Sequence, residues 1–340
     1  MVTTKHIAVS NHQIILATLP DGTLEEGHFT SACGAVPVPR PGEIVVRTLI
    51  ISVDAANRTW MDVETYRPRL VAGEVMAGYG LCEVVDANGT SLPEGTIVFC
   101  DAGWQEYAAV PAADATPLVV DGELTHQISV HGVSGMAAYF GITEVGAVAP
   151  GETVVVSAAA GATGHLAGQI ARIRGARVVG IAGSDEKNLM LESYLGFDAT
   201  VNHRSETFRA DLKAACPKGI DVYFDNVGGR ILETVLRRMN QNGRVVCCGS
   251  VTHYTYDPES RLAEVVPGAL ISRRIRMEGF IVLDWMDRWP FASQVMNGWL
   301  ADGRLLPLEN PYDGLDSAPR ALLGLLAGEN AGKTMVRLTR

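Results

Sequence analysis

Residues 153–171 read TVVVSAAAGATGHLAGQIA, and this stretch decides the fold. A run of β-branched residues at 153–156 predicts a buried strand. After a turn that contains two glycines, Leu166, Ile170 and Ile173 recur at helical spacing and form one apolar helix face. A second apolar stretch, 177–182, follows at the distance that a βαβ crossover requires. The sequence therefore predicts a strand, a turn, a helix and a parallel strand.

The turn between this strand and helix is typical of a site for a dinucleotide pyrophosphate. The usual pattern is G-x-G-x-x-G, and Ala159 stands where the first glycine is expected, which an alanine tolerates if its φ stays negative. Gly161 lets the backbone approach a phosphate, Gly164 lets helix and strand pack closely, and the helix N-terminus offers free N–H groups. A purely structural turn is the alternative interpretation. The candidate cofactor residues here are Ala160, Gly161, Ala162, Thr163 and Gly164.

The end of the second strand indicates which dinucleotide is bound. Sites that prefer NAD place an acidic residue there to bind the ribose hydroxyls, and this strand end carries none. Gly183 and Ser184 leave room for a 2′-phosphate, and Lys187 and Arg204 are nearby cations. The acids at 185–186 fall in the first turn of the next helix, where they favour the helix dipole. The sequence therefore favours NADP over NAD.

The rest of the chain divides into two parts with different patterns. Up to about residue 125, short strand-like runs alternate with turn signals, which predicts an antiparallel barrel or sandwich. Beyond about residue 130, apolar strands alternate with helix-length segments, which predicts an α/β domain with a doubly wound parallel sheet. Its six expected strands are residues 153–157, 177–182, 199–201, 221–225, 244–248 and 277–282. A helix, a turn and a last strand are expected in residues 318–339.

The composition argues against several classes of protein. The chain has 340 residues, 47% of them hydrophobic, and a formal net charge of −10, so two domains are expected and a nucleic-acid or membrane partner is not. No apolar run reaches the ~20 residues of a membrane span, and residues 1–19 lack the layout of a signal peptide, so a cytoplasmic location is expected. The six cysteines include no C-x-x-C pair and no cluster of four, so we expect neither bound metal nor a disulfide framework.

Short motifs along most of the chain resemble those of one enzyme family. They are SVDAANR at 52–58, GEVM at 73–76, GW at 103–104, GMAAYFG at 135–141, the turn at 159–164, the strand ends at 183–187 and 196–198, FDNVGG at 224–229, MEGFIV at 277–282 and NAGK at 330–333. Each motif is weak by itself, but their order along one chain is specific. The chain resembles the zinc-free medium-chain dehydrogenase/reductases, and within them the alkenal and enone reductases typified by leukotriene B4 12-hydroxydehydrogenase (prostaglandin reductase) and plant double-bond reductases.

This resemblance implies a fold and an activity. The implied fold is an N-terminal GroES-like barrel domain over residues 1–129, completed by residues 308–340, and a Rossmann domain over residues 130–307. The implied reaction transfers a hydride from NADPH to the β-carbon of a C=C bond conjugated to a carbonyl, after which the α-carbon takes a proton. The resemblance also implies a homodimer paired through the sheet edge at 277–282, and it makes alanine the usual residue at position 159.

The resemblance further implies roles for single residues. Tyr254 falls at the position of the family's active-site tyrosine, where a phenol can donate to the enolate oxygen together with the cofactor ribose. Packing against the substrate is the alternative role for this residue. The implied substrate pocket consists of Asn57, Tyr66, His253 and Tyr254. The implied cofactor residues outside the glycine turn are Gly183, Ser184, Lys187, His203, Arg204, Asn226, Cys248, Gly249, Ser250, Asn330 and Gly332. For Asn226 and Asn330, capping of a loop is the alternative.

The chain departs from the family pattern at several positions. Ala56 replaces a tyrosine that often lines the pocket, so one pocket wall is expected to be smaller. His203 replaces a tyrosine that can contact the 2′-phosphate, and a histidine can still donate a hydrogen bond there. Gly73 and Glu74 lack the histidine that zinc-dependent relatives carry beside them, which argues against an alcohol dehydrogenase.

Two further interpretations stay open at this stage. A quinone reductase of the same superfamily and a protein that binds NADPH without catalysis are both compatible with much of the pattern. His165 is expected either near the pyrophosphate or exposed on the surface, and the sequence assigns it no catalytic role.

Overall fold

The computed structural model describes residues 10–65, 67–253 and 266–338, and the chain folds into two compact units. Unit 1 comprises Met1–Ile128, Asn310–Glu329 and Thr334–Arg340. Unit 2 comprises Ser129–Glu309 and Asn330–Lys333. The short segment Asn330–Lys333 therefore lies with unit 2, although the chain on either side of it lies with unit 1.

Unit 1 is built mainly from antiparallel strands. Its strands are β1 (Asn11–Leu16), β2 (Phe29–Gly34), β3 (Glu43–Ser52), β4 (Tyr79–Asp86), β5 (Ile97–Asp101), β6 (Tyr107–Pro111) and β7 (Thr116–Pro117), together with β14 (Glu309–Asp313) and β15 (Lys333–Arg337) from the end of the chain. In the described part of the chain, the main sheet has the order β14-β15-β3-β4-β5-β7, β6 also pairs with β3, and β1 pairs with β2. The C-terminal strand β15 thus completes the sheet of the N-terminal unit.

The core of unit 1 follows from alternation along its longest strand. On β3, Ile44 and Val46 pack with Cys82 and Val98 in one apolar cluster, whereas Ile51 belongs to a second cluster built around Trp104. Such alternation is expected where side chains of one strand point to opposite faces of a sheet. Short polar turns join these strands, as the sequence predicted.

Unit 2 contains one parallel sheet. Its strands are β8 (Thr153–Ser157), β9 (Arg177–Ala182), β10 (Ala199–Asn202), β11 (Ile220–Asp225), β12 (Met239–Cys247) and β13 (Arg276–Gly279), in the spatial order β10-β9-β8-β11-β12-β13. All of these neighbours pair in parallel. The order reverses between β8 and β11, and ligands of such sheets bind beyond the carboxyl ends of the strands at this point.

Both faces of this sheet are covered by helices. Val154 and Val156 of β8 point into one apolar cluster, and Val155 between them points into another, all three being fully buried. A continuous apolar strand is what a sheet covered on both sides requires. The run of valines in the opening stretch is explained by this double burial.

The helices connect the strands of unit 2 and flank those of unit 1. In the described residues they are α1 (Ala56–Asp62), α2 (His126–Ser129), α3 (Val133–Phe140), α4 (Gly164–Ile173), α5 (Asp185–Ser193), α6 (Phe208–Ala215), α7 (Gly229–Leu236), α8 (Val266–Arg273), α9 (Trp289–Ala301) and α10 (Ala318–Leu326). A π-helix follows α3 at Gly141–Val145, and short 3₁₀ helices lie at Glu26–His28, Ala112–Asp114, Val251–His253, Val282–Arg288 and Leu315–Ser317. In the part of the chain that the structure describes, no helix has the length and apolarity needed to cross a membrane.

Two strands differ clearly from their sequence-based predictions. The strand expected at 244–248 is β12, which already begins at Met239. We expected a strand at 277–282, but β13 covers only Arg276–Gly279, and a 3₁₀ helix begins at Val282. The position of β13 at the edge of the sheet is as predicted. All four residues of β13 are exposed, so little burial is available to extend the pairing.

Candidate cofactor site

The glycine turn lies at the carboxyl end of β8, the strand at the centre of the parallel sheet. The left-handed backbone conformation falls on Ala158, with φ of 46°, and not on Ala159. The N–H of Gly161 donates to the carbonyl of Ala158 at 2.9 Å and closes the turn. A Cβ on Gly164 would lie 2.3 Å from the same carbonyl oxygen, so only glycine lets the helix start this close to the strand. This is the close helix–strand packing predicted for Gly164.

The turn offers backbone donors for a phosphate. In the described residues, the N–H groups of Ala162, Thr163 and Gly164 donate to no acceptor. They lie at the N-terminus of α4, where free N–H groups and the helix dipole favour an anion. Beside them, a Cβ on Gly161 would meet only the Ala158 carbonyl within 4 Å, so the space in front of the turn is open. The turn therefore fits a pyrophosphate.

Beyond the end of β9, two side chains surround Gly183. A Cβ at Gly183 would lie 3.1 Å from Nε2 of His203 and 3.4 Å from Nε of Arg204. Neither side chain has a hydrogen-bond or ion-pair partner among the described residues. Partial burial, followed by the nearby Arg204 charge, lowers the pKa of His203. Arg204 also borders an open polar cavity of about 530 Å³, which Asp185 and Asp211 line as well. The donors for a phosphate group are therefore His203 and Arg204, with two carboxylates beside them.

The next helix begins as predicted. Ser184 caps α5, its hydroxyl accepting from the backbone N–H of Lys187, and Asp185 and Glu186 occupy the first turn of α5. Asp185 accepts from the amide of Asn202 at 2.8 Å. The pKa of Glu186 is lowered, first by its backbone N–H and then by the Ser184 hydroxyl. Both acids are thus held at the helix start.

Lys187 connects this region to the distant NAGK motif. Its Nζ donates to the carbonyl of Asn330 at 2.6 Å. The Asn330 side chain donates to the carbonyl of Gly332, and the N–H of Gly332 donates to the carbonyl of Ala160 in the glycine turn at 2.7 Å. The structure therefore brings the predicted residues Lys187, Asn330 and Gly332 together with the glycine turn.

The loop after β11 is organised by a buried carboxylate. Oδ1 of Asp225 accepts from the hydroxyls of Tyr223 and Ser157 and from the backbone N–H groups of Val227 and Gly228, at 2.8–3.1 Å. Four donors on one oxygen compensate the cost of burying the charge. The next residue, Asn226, is predicted to position the cofactor, and its side-chain amide donates to the carbonyl of Ser157 at 2.7 Å.

The loop after β12 is attached to this first loop. The N–H groups of Cys248 and Gly249 both donate to the carbonyl of Asp225. A Cβ on Gly249 would lie 3.1 Å from the carbonyl oxygen of Asn226, so the two loops approach closely. Burial is the main cause that raises the pKa of Cys247 to about 11 and of Cys248 to about 12, so neither is a thiolate nucleophile near neutral pH. Ser250 follows in the same loop.

Of the four predicted pocket residues, the structure describes Asn57 in full and the backbone of His253. Asn57 is buried in α1, where its side chain accepts from the N–H of Asp54 and donates to the carbonyl of Ala77. These contacts stabilise unit 1, and a pocket role for Asn57 stays a prediction. Tyr66 and Tyr254 lie outside the described residues, and of His253 only the backbone is described, as the last residue of a 3₁₀ turn.

Sequence reasoning missed three residues that organise the site. Ser157 and Asp225 are buried at strand ends, and the signal for them was their place beside the turn and inside the FDNVGG motif. His165 was expected near the pyrophosphate or exposed, and the second alternative is wrong because its side chain is fully buried. The sequence signal for its burial was a histidine among small and apolar residues in the first turns of α4.

No metal centre accompanies these residues where the chain is described. Within residues 10–65, 67–253 and 266–338, no three His, Cys, Asp or Glu side chains are grouped so that they could hold an ion.

Comparison with known proteins places the chain in a family. Residues 12–118 match a family model described as the N-terminal domain of oxidoreductase, and residues 162–297 match one described as zinc-binding dehydrogenase. The NADP-dependent 2-alkenal reductase of Nicotiana tabacum is 36% identical, with 98% of each chain covered. The NADPH-dependent curcumin reductase of Escherichia coli is 34% identical, with 96% of this chain and 97% of that protein covered. The crystal structure of CurA from Vibrio vulnificus in complex with NADPH has a TM-score of 0.90 and 34% identity, with 97% and 99% coverage.

The chain belongs to the zinc-independent medium-chain dehydrogenase/reductases, in the branch of the enone reductases. This confirms the resemblance seen in the sequence. It also confirms the fold class: a Rossmann domain with a GroES-like domain that the C-terminal strand completes. The protein is an oxidoreductase of an NADP-dependent branch of this family.

Proposed function

We propose that this chain uses NADPH to reduce the C=C bond of α,β-unsaturated ketones and aldehydes. The observation that carries the proposal is similarity over nearly the full length to the tobacco enzyme, whose name states a 2-alkenal, an α,β-unsaturated aldehyde. The glycine turn and the donors around Gly183 support the same cofactor independently of that name.

The proposal gives described residues a role at each part of the cofactor. The free N–H groups at 162–164 hold the pyrophosphate. His203 and Arg204 bind the 2′-phosphate beside Gly183, where any larger residue would crowd them. Asn226 and Asn330 lie on loops at the same end of the sheet and position the nicotinamide half.

When bound, NADPH supplies the hydride that adds to the β-carbon of the substrate. Negative charge then develops on the substrate carbonyl oxygen, so the chain must present a hydrogen-bond donor to that oxygen and exclude water. Tyr254 is the donor that we assign, because it falls at the position of the family's active-site tyrosine, in the sequence that follows β12. The α-carbon finally takes a proton, and the phenol of Tyr254 helps to deliver it.

Asn57, Tyr66 and His253 are the pocket residues that the family resemblance implies, and Ala56, the first residue of α1, stands where the family often has a tyrosine. A smaller wall makes room for substrates with a larger group next to the C=C bond.

The chain acts as a homodimer paired through the edge of the parallel sheet. Strand β13 is exposed along its whole length, and exposed apolar side chains lie in and near it in the sequence. The exposed side chains are Ile271, Met277, Ile281, Leu283, Met286 and Phe291, with exposed fractions from 36% to 78%. Exposed edge strands are usually covered, and a second copy of the same edge is the occupant that the proposal names.

The consumption of NADPH with a panel of substrates tests the proposed reaction. The panel contains a 2-alkenal, an aryl enone and a quinone, and the Tyr254→Phe variant is assayed beside the natural chain. We expect turnover of the alkenal and the enone, and a slower rate in Tyr254→Phe. Turnover of the quinone alone would contradict the proposal in favour of a quinone reductase, and no turnover would contradict an enzymatic role. An unchanged rate in Tyr254→Phe would remove that residue from the mechanism.

A further inference from the structure

His165 is a buried histidine inside the helix that follows the glycine turn. Its Nδ1 lies 2.8 Å from the carbonyl oxygen of Gly161, one helical turn earlier, and its Nε2 lies 3.0 Å from the backbone nitrogen of Leu308. Because an amide nitrogen can only donate, Nε2 must accept, and Nδ1 must carry the proton and donate to Gly161. The two contacts therefore fix one neutral tautomer of the ring.

Gln169 makes a second set of contacts one turn further along α4. Its side chain donates to the carbonyl of Leu306 at 3.0 Å and accepts from the N–H of Leu306 at 2.8 Å. His165 and Gln169 are four residues apart and lie on the same helix face. Together they attach residues 305–308 to the helix that starts at the glycine turn.

Residues 305–308 are attached in turn to the NAGK motif. The N–H of Lys333 donates to the carbonyl of Leu308 at 2.9 Å. Gly332 has φ of 76°, and a Cβ there would lie 2.0 Å from the Leu308 oxygen, so only glycine permits this approach. The N–H of Gly332 donates to the carbonyl of Ala160. The hydrogen bonds thus form a closed ring that leaves the glycine turn at Gly161 and returns to it at Ala160.

This ring has a consequence for the phosphate donors. The carbonyl and the N–H of one trans peptide unit point in opposite directions. The Gly161 carbonyl accepts from the backbone N–H of His165 at 3.2 Å and from its Nδ1–H at 2.8 Å, so the side chain supplies the shorter of two bonds that hold it. The N–H of Ala162 in the same peptide unit is thereby held pointing the other way. That N–H is one of the three free donors at the start of α4.

We propose that His165 is a positioning residue for cofactor binding, which orients the donors of the glycine turn and couples the turn to residues 305–308 and to the NAGK motif. The inference rests on the proposed use of NADPH at this turn. His165 does not touch the cofactor in this account, and it acts through Gly161 and Leu308. His165 lies outside the glycine pattern itself. Its contribution comes from two side-chain hydrogen bonds to backbone groups.

Equilibrium binding of NADPH to the full-length chain tests this role. His165→Leu removes both side-chain hydrogen bonds and fills the buried space with an apolar side chain. We expect the Kd for NADPH to rise about tenfold. His165→Gln keeps a donor and an acceptor, and we expect its Kd within about threefold of the natural chain. Thr234→Val is the matched control, since it removes a buried hydroxyl that donates to the carbonyl four residues earlier in α7. We expect Thr234→Val to lower the melting temperature and to leave the Kd unchanged.

Hydrogen exchange of the cofactor-free protein gives a second readout. His165→Leu should speed exchange in both 158–164 and 330–333, whereas Thr234→Val should speed it in neither. An unchanged Kd in His165→Leu, or equal increases in His165→Leu and Thr234→Val, would overturn the proposal. If His165→Leu does not fold, His165→Met takes its place, because methionine also lacks a donor for the Gly161 carbonyl and the same two-segment change in exchange is expected. Failure of the natural chain to bind NADPH would refute the proposed function. The exchange result would still show whether His165 couples residues 158–164 to residues 330–333.

Discussion

At the scale of single residues, the glycine turn shows what a sequence pattern can and cannot predict. The pattern marks Ala159 as the unusual residue, but the left-handed conformation falls on Ala158, one position earlier. A left-handed alanine costs roughly 1 kcal/mol, which surrounding contacts must offset. No propensity predicts such a residue, because the conformation is imposed by the packing of strand against helix. The sequence predicted the role of Gly164 correctly because close packing forbids a side chain there.

The first residue-scale prediction concerns Gly164. We expect Gly164→Ala to lower the free energy of unfolding by roughly 2 kcal/mol, because its Cβ would meet backbone atoms of Ala158 and Ala159 at 2.3 and 2.9 Å. Urea denaturation measures this change. Gly298→Ala is the control, since nothing lies within 4 Å of a Cβ there and the residue is inside α9, so we expect equal or slightly higher stability. Equal effects of the two variants would contradict the packing argument.

The second residue-scale prediction concerns Arg204. Its guanidinium lies beside Gly183 and has no partner among the described residues, so it is available for the 2′-phosphate. We expect Arg204→Gln to raise the Kd for NADPH about tenfold and to change the Kd for NADH little. Titration of both cofactors by fluorescence measures the ratio.

An exposed arginine on α6 provides the control for this experiment. Arg209→Gln removes the same charge from the surface without altering the groups around Gly183. A loss of NADPH affinity that is equal in Arg204→Gln and Arg209→Gln would indicate a general charge effect and would contradict the assignment. The sequence identified Arg204 from its place after the third strand, but the isolation of its side chain became visible only in the structure.

At the scale of the elements, the loops after β8, β11 and β12 carry the candidate site. The order of strands and helices was predictable from apolar periodicity, because the central strands β8 and β11 are buried on both faces and read as apolar runs. The contacts between loops were not predictable, since Asp225 accepts from the Ser157 hydroxyl and His165 accepts from the N–H of Leu308, partners that are 68 and 143 residues away in sequence. The end of β13 was predicted wrongly for a different reason: the apolar residues 280–282 suggested a longer strand, but the strand stops at Gly279 and all four of its residues are exposed.

One element-scale prediction concerns pH and the α4 helix. Burial is the main cause that lowers the pKa of His165 to about 4, below its value of 6.5 in the unfolded chain. Between these values the unfolded chain binds a proton that the folded chain does not, so stability falls as the pH drops from 6.5 towards 4. At ~1.4 kcal/mol per pKa unit, the loss over this window approaches roughly 3 kcal/mol.

Chemical denaturation of the cofactor-free protein at pH 7 and pH 4.5 measures this loss. We expect His165→Gln to show a smaller difference between the two pH values, because its side chain does not titrate. His203→Gln is the comparison variant, because the pKa of His203 is also lowered but its side chain is less buried. We expect it to reduce the difference between the two pH values less than His165→Gln does. The same pH dependence in His165→Gln and the natural chain would contradict the account.

At the scale of the whole molecule, the division into a GroES-like and a Rossmann domain was predictable, since the two parts have different strand patterns. The family followed from motifs in order along the chain, none of which identifies it alone. The pocket was not predictable, because its shape depends on loop conformations around 54–66 and 253–266 that no periodic pattern specifies. Substrate choice therefore rests on similarity to known reductases, whereas cofactor choice rests also on named side chains.

The whole-molecule prediction concerns the exposed edge of the parallel sheet. We expect Ile281→Glu to convert the proposed homodimer into a monomer, because it places a charge in the apolar surface around β13, where Ile281 is 55% exposed. Sedimentation velocity measures the mass. Val119→Glu, at a 92% exposed valine of unit 1, is the control and should leave the mass unchanged. A natural chain that sediments as a monomer would refute the dimer directly.

The position that the hydride reaches in the product distinguishes reduction of the C=C bond from reduction of the C=O bond. The measurement uses NADPH deuterated at the transferred position with a 2-alkenal as substrate, and mass spectrometry and NMR locate the label in the product. We expect a saturated aldehyde that carries deuterium on the former β-carbon. Deuterium on the carbonyl carbon of an allylic alcohol would contradict it, because that product requires reduction of the C=O bond and not of the C=C bond.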